Sequence, residues 1–78
     1  MAAVKTEHIY IEKDPDRYDG KAVIKNTRIP VASLVNHYRS GMSIDEILDG
    51  YPSLTPAQLF DALSYYFDHK DEIDKELG

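Results

Sequence analysis

Two segments that each open on a helix cap stand only a few residues apart, and this spacing constrains the fold more than any other feature of the chain. Ser43 with Glu46 three residues later is a capping box, in which hydroxyl and carboxylate each satisfy an amide that the first helical turn leaves unpaired. Ile44, Ile47, Leu48 and Tyr51 then repeat at helical spacing, which predicts a helix over 43–49. Thr55 followed by Pro56 is an N-cap with proline at the first helical position, where its missing N–H costs nothing. It opens a helix over 56–67 with Leu59, Phe60, Ala62, Leu63, Tyr66 and Phe67 apolar. Only Gly50-Tyr51-Pro52-Ser53-Leu54 joins the two, a connection short enough to force a helix-turn-helix corner.

Upstream, Pro30 suits a helix start, Val31, Leu34, Val35 and Tyr38 share one face, and Gly41 ends the segment. Before it stand two β-rich runs. His8-Ile9-Tyr10-Ile11-Glu12 is closed by the turn cluster Asp14-Pro15-Asp16, and Lys21-Ala22-Val23-Ile24-Lys25 is closed by Asn26-Thr27. Such a two-stranded ribbon is marginal alone and must lie on the helices or pair with a second chain. The fold class is therefore mainly α: three or four helices with a short N-terminal two-stranded β-ribbon.

With 78 residues the chain is one domain, read as an N-terminal arm (1–8), the helix-turn-helix domain with its ribbon (9–67) and a charged extension or tail (68–78). In that last segment the spacing of Leu59, Leu63, Tyr66, Lys70, Ile73 and Leu77 suits one continuing helical stripe, although Lys70 interrupts it. Two readings stand: a frayed charged tail, or a protruding helix whose Ile73 and Leu77 dock in a partner's groove.

The chain has no cysteine, which removes disulfide frameworks and thiolate metal sites, and no apolar run that reads as a signal peptide or a membrane span. A cytoplasmic protein with no membrane partner is expected. Net charge is −5, which opposes non-specific attraction to nucleic acid. The charge is unevenly distributed: residues 1–40 carry seven basic against five acidic side chains, and residues 41–78 two against nine. This describes either an uneven solvated surface or two distinct binding faces.

Little in the sequence suggests chemistry. His8, His37 and His69 fall on separate predicted elements without ligand spacing, so no metal site and no cofactor are expected. Asp45, Glu46 and Asp49 are explained as acids near a helix start, no serine has a nucleophile-elbow context, and the four glycines are scattered. An enzyme is not expected. What remains is the run from Gly20 to Val31, where basic and apolar residues alternate. On a strand, Lys21, Val23 and Lys25 share one face, a cation row suited to phosphates or to keeping a sheet edge soluble.

The residues Gly20-Lys21, Val23-Ile24, Thr27-Arg28-Ile29-Pro30-Val31, Gly41-Met42-Ser43-Ile44-Asp45-Glu46-Ile47-Leu48 and Tyr51-Pro52-Ser53-Leu54-Thr55 follow an order that resembles the prokaryotic family named domain of unknown function 433. The similarity runs from about Ile9 to Tyr66. The chain departs from the family pattern at Ala22, where proline is usual, and at Asn26, where glycine is usual; asparagine still tolerates a left-handed turn.

The resemblance implies a homeodomain-like helix-turn-helix and the role of antitoxin to a PIN-like ribonuclease toxin, with autoregulation of its operon through operator DNA. A recognition helix normally presents cations and amides, but helix 56–67 offers only Thr55 and Gln58 near its start. The DNA-contact candidates are therefore Lys21, Lys25, Thr27, Arg28, Thr55 and Gln58, with a homodimer doubling the basic row. Arg28 has an alternative role as a helix anchor. Tyr66, Asp68, Asp71, Glu72, Ile73 and Leu77 are the candidates for partner binding. The competing reading is a dimeric protein-interaction module that never touches DNA.

Overall fold

A computed structural model describes residues 4–78. The helices are α1 (Val31–Arg39), α2 (Ile44–Gly50), α3 (Pro56–Asp68) and α4 (Lys70–Leu77), preceded by the strands β1 (Val4–Lys5), β2 (Ile11–Lys13) and β3 (Val23–Ile24). The expected capping box of Ser43 with Glu46 forms on α2, and Thr55 caps α3 as expected, with Gln58 completing a second box that was not expected. The fold is mainly α, with α2 and α3 meeting at the short corner that the sequence requires.

The expected ribbon is present as β2 and β3, antiparallel with Ile11 opposite Ile24 and Glu12 opposite Val23. Two features differ from expectation. The first strand begins at Ile11, because residues 8–10 form a turn closed by the Ile11 amide donating to the His8 carbonyl at 3.0 Å. A third strand, β1, pairs with β2 inside the segment read as an arm. Asn26 takes the left-handed conformation, φ +63°, at the turn after β3, so asparagine replaces the family's glycine without loss of the turn.

The core joins Ile11, Ala22 and Ile24 from the sheet to Leu34 and Val35 of α1, Ile47 of α2 and Leu59, Ala62 and Leu63 of α3. The second strand is thus covered along Ala22, Val23 and Ile24, and does not present one polar face.

The C-terminal segment corrects both earlier readings. It is neither frayed nor an extension of α3. At His69 the backbone leaves helical geometry (φ −134°, ψ 47°), and α4 turns back to pack against α1 and α3. Ile73, expected to dock in a partner, is fully buried in this chain's own core, and Leu77 packs beside it. Burying two apolar side chains in a domain this small outweighs the cost of breaking one helical turn.

Candidate functional site

Where the N-terminal loop meets the corner between α3 and α4, two histidines and four carboxylates converge. Thr6 shapes the loop: its hydroxyl donates to the Ile11 carbonyl at 2.9 Å and accepts the His8 amide at 3.1 Å. This turns the His8 ring inward, where it is only 8% exposed. Its Nδ1 lies 2.9 Å from Asp61 Oδ1 and its Nε2 2.8 Å from Asp68 Oδ2. Each ring nitrogen thus stands against a carboxylate oxygen, an arrangement that suits the protonated ring, which donates from both. Burial opposes that charge, but the bonds to Asp61 and Asp68 outweigh it and hold the His8 pKa above its ordinary value.

His69 occupies the helix break. Its ring stacks on Tyr65 with centroids 4.4 Å apart and lies edge-on to His8 at 6.4 Å. Its Nε2 stands 2.8 Å from Glu7 Oε2. Bonding to its own backbone and to His69 keeps the Glu7 carboxyl below the usual range. The Tyr65 hydroxyl donates to both oxygens of Glu72, at 3.0 and 2.8 Å; burial, with Glu72 beside it, pushes that phenol well up.

A second surface lies on the outward side of α3. Phe60 and Phe67 are 55% and 56% exposed, and Tyr38 of α1 meets Phe67 edge-on at 6.4 Å. Ser64 lies between them, and Asp68 closes the strip with its carboxylate exposed. The helix contains no lysine or arginine.

The residues expected at a DNA face are not gathered into one cationic row. The Thr27 hydroxyl is held in the turn, donating to the Ile24 carbonyl at 2.7 Å and accepting the Ile29 amide at 3.0 Å. Thr55 and Gln58 are engaged in their capping box. Lys21 is exposed, but its charge acts on Glu76 of α4. Arg28 is exposed and Lys25 half-buried at the turn after β3.

The partner-binding candidates divide in the same way. Ile73 and Tyr66 are buried, the Tyr66 hydroxyl donating to Asp74 at 3.0 Å, and Glu72 is taken by Tyr65 and by Lys13 at 3.2 Å. Asp68 and Asp71 remain exposed. That His8 and His69 meet is not legible in the sequence, because no local spacing links a loop histidine to one at a distant helix break.

These features define a class: a small mainly α protein with a helix-turn-helix corner backed by an N-terminal antiparallel sheet. The family model described as "Protein of unknown function (DUF433)" matches residues 11–66, and the chain belongs to that family. It is similar to a DUF433 member protein from Anabaena variabilis whose crystal structure is known at 2.00 Å resolution, with 40% sequence identity and a TM-score of 0.81. That match covers 86% of this chain and 66% of the other, so the chain spans just under two thirds of its relative's length. No curated protein matches it.

Proposed function

We propose that the chain is an antitoxin-like binding module, not an enzyme, that holds a cationic partner protein against the outward face of α3. The observation that carries this reading is the pairing of two exposed phenylalanines with acidic neighbours on a helix that lacks any cation. In a helix-turn-helix the second helix of the corner is the one that enters the major groove, and a face of Phe60, Phe67 and Asp68 would be repelled by phosphates. The same face suits a protein surface that offers an apolar contact rimmed by lysine or arginine. A ribonuclease of the PIN-like type, which the family resemblance implies, must carry cations to hold its RNA, and the net charge of −5 complements it.

The test is calorimetric titration of the chain with a PIN-like protein encoded beside it, repeated with Phe60→Asp and Phe67→Asp. The expected result is binding in the parent and a loss of at least a hundredfold in either variant, with circular dichroism unchanged. No binding in the parent, or full binding in both variants, would overturn the reading. Light scattering on the same samples covers the other occupant: a parent dimer that both variants reduce to monomer would assign the face to a second copy of this chain.

Operator binding is the second reading, and the exposure of Arg28 favours it. It would fall to Lys25 and Arg28 at the turn after β3, since Thr27, Thr55 and Gln58 are engaged within the chain.

A further inference from the structure

We propose that Glu7, His8 and His69, with Asp68 as fourth ligand, form a binding site for a divalent metal ion of the zinc type. One ligand atom from each of Glu7, His8 and His69 lies within 4.8 Å of the others. Asp68 Oδ2 lies beside one member of this group, 2.8 Å from His8 Nε2, and is the further donor the proposal assigns. Two imidazole nitrogens and two carboxylate oxygens are a donor set that zinc accepts in tetrahedral geometry, with bonds near 2.0–2.2 Å.

The surroundings are those that orient metal ligands. Asp61 Oδ1 accepts the hydrogen bond from His8 Nδ1 at 2.9 Å, which leaves Nε2 as the ligating nitrogen. Glu72 Oε1 stands 3.9 Å from His69 Nδ1, and the Tyr65 ring fixes the plane of His69 by stacking. Charge points the same way, since four carboxylates (Glu7, Asp61, Asp68 and Glu72) face two imidazoles. A metal ion replaces the Nε2 proton, which leaves to solvent, while the bond from Nδ1 to Asp61 is kept. Because two ligands come from the N-terminal loop and two from the corner of α3 and α4, the ion would fasten that loop to the helices. The site shares Asp68 with the partner-binding reading, but Glu7→Gln and His69→Gln leave the phenylalanine face untouched, so failure of one reading is distinguishable from failure of the other.

The test is a titration of the full chain with Zn²⁺ in competition with a chromophoric chelator near neutral pH, with the histidine ring resonances followed by NMR. The expected result is one equivalent bound, with His8 and His69 signals moving and those of His37 unmoved. Glu7→Gln and His69→Gln should each weaken binding more than tenfold, and Asp61→Asn by roughly 10–100-fold through its hold on His8. His8→Gln also breaks a buried ion pair, so the exposed Glu7→Gln carries the test where that variant fails to fold. No binding at one equivalent, undiminished affinity in both Glu7→Gln and His69→Gln, or movement of the His37 signals instead would overturn the proposal.

Discussion

Lys13 Nζ lies 3.2 Å from Glu72 Oε2, fastening the second strand to the last helix. Lys21 acts on Glu76 one turn further on, and Arg39 of α1 reaches Asp74 at 3.1 Å. Three cations of the basic first half therefore face acids of α4. The asymmetry that suggested two separate binding faces in the sequence is in part a fold contact.

This limits DNA binding to the cations left over. Of the cations expected at the DNA face this leaves Lys25 and Arg28, and if those two alone contact phosphates the slope of log K against log salt should not exceed about −1.8, taking about 0.9 per phosphate neutralised. Fluorescence anisotropy on the upstream DNA should show at most weak, salt-sensitive binding, lost in a Lys25→Ala, Arg28→Ala variant. Tight and sequence-selective binding that survives moderate salt would refute this and return α3 or a dimer to consideration as the DNA face.

The fold-back of α4 predicts a large effect at Ile73. Because the side chain is fully buried among α1 and α3, Ile73→Ala should destabilise by roughly 2–5 kcal/mol, a large part of what a domain of this size has. Urea denaturation reads this directly. A change under about 0.5 kcal/mol, the range of surface substitutions, would mean that α4 does not pack in solution.

Features encoded within a few residues were legible in the sequence, and those that depend on distant segments were not. Both helix caps, the corner between α2 and α3 and the left-handed turn at Asn26 are decided by neighbours, so their residue types announce them. Apolar spacing at 59, 63, 66, 73 and 77 states which face of a helix is apolar but not the path of the chain. A continuing helix and one broken at His69 and folded back carry the same pattern. The His8 cluster was illegible for a related reason: Asp61 and Asp68 share α3, but the loop at Thr6 meets them and His69 only through the tertiary fold.

Glu76 gives the pH prediction. Burial, reinforced by repulsion from Glu72, raises its pKa despite opposing attraction from Lys21 and Lys13, and its Oε1 is buried without a hydrogen-bond partner among the described residues. A folded pKa above the unfolded value means the group favours folding only while protonated. That contribution is complete below the unfolded pKa of about 4.5 and is lost as pH rises through the folded one, so at neutral pH the charge opposes folding. Glu76→Gln should therefore raise the melting temperature at pH 7 by a few degrees, and the gain should vanish near pH 4. A lower melting temperature at pH 7 would show that the attraction of Lys21 and Lys13 outweighs burial.

Asn26 allows a backbone prediction separable from side-chain contacts. It stands at φ +63°, and the Thr27 hydroxyl bonds on either side hold it there. A left-handed conformation costs an ordinary residue roughly 1–2 kcal/mol, asparagine less and glycine nothing. Glycine, however, gives the unfolded chain more freedom, which offsets the gain. Asn26→Gly should therefore lie within about 0.5 kcal/mol of the parent, whereas Asn26→Val should destabilise by about 1–2 kcal/mol, because β-branching adds crowding at positive φ. Equal stability of the glycine and valine variants in urea denaturation would mean that the turn relaxes to negative φ in solution. The exposure of Arg28, which the second reading of function requires, would then need another basis.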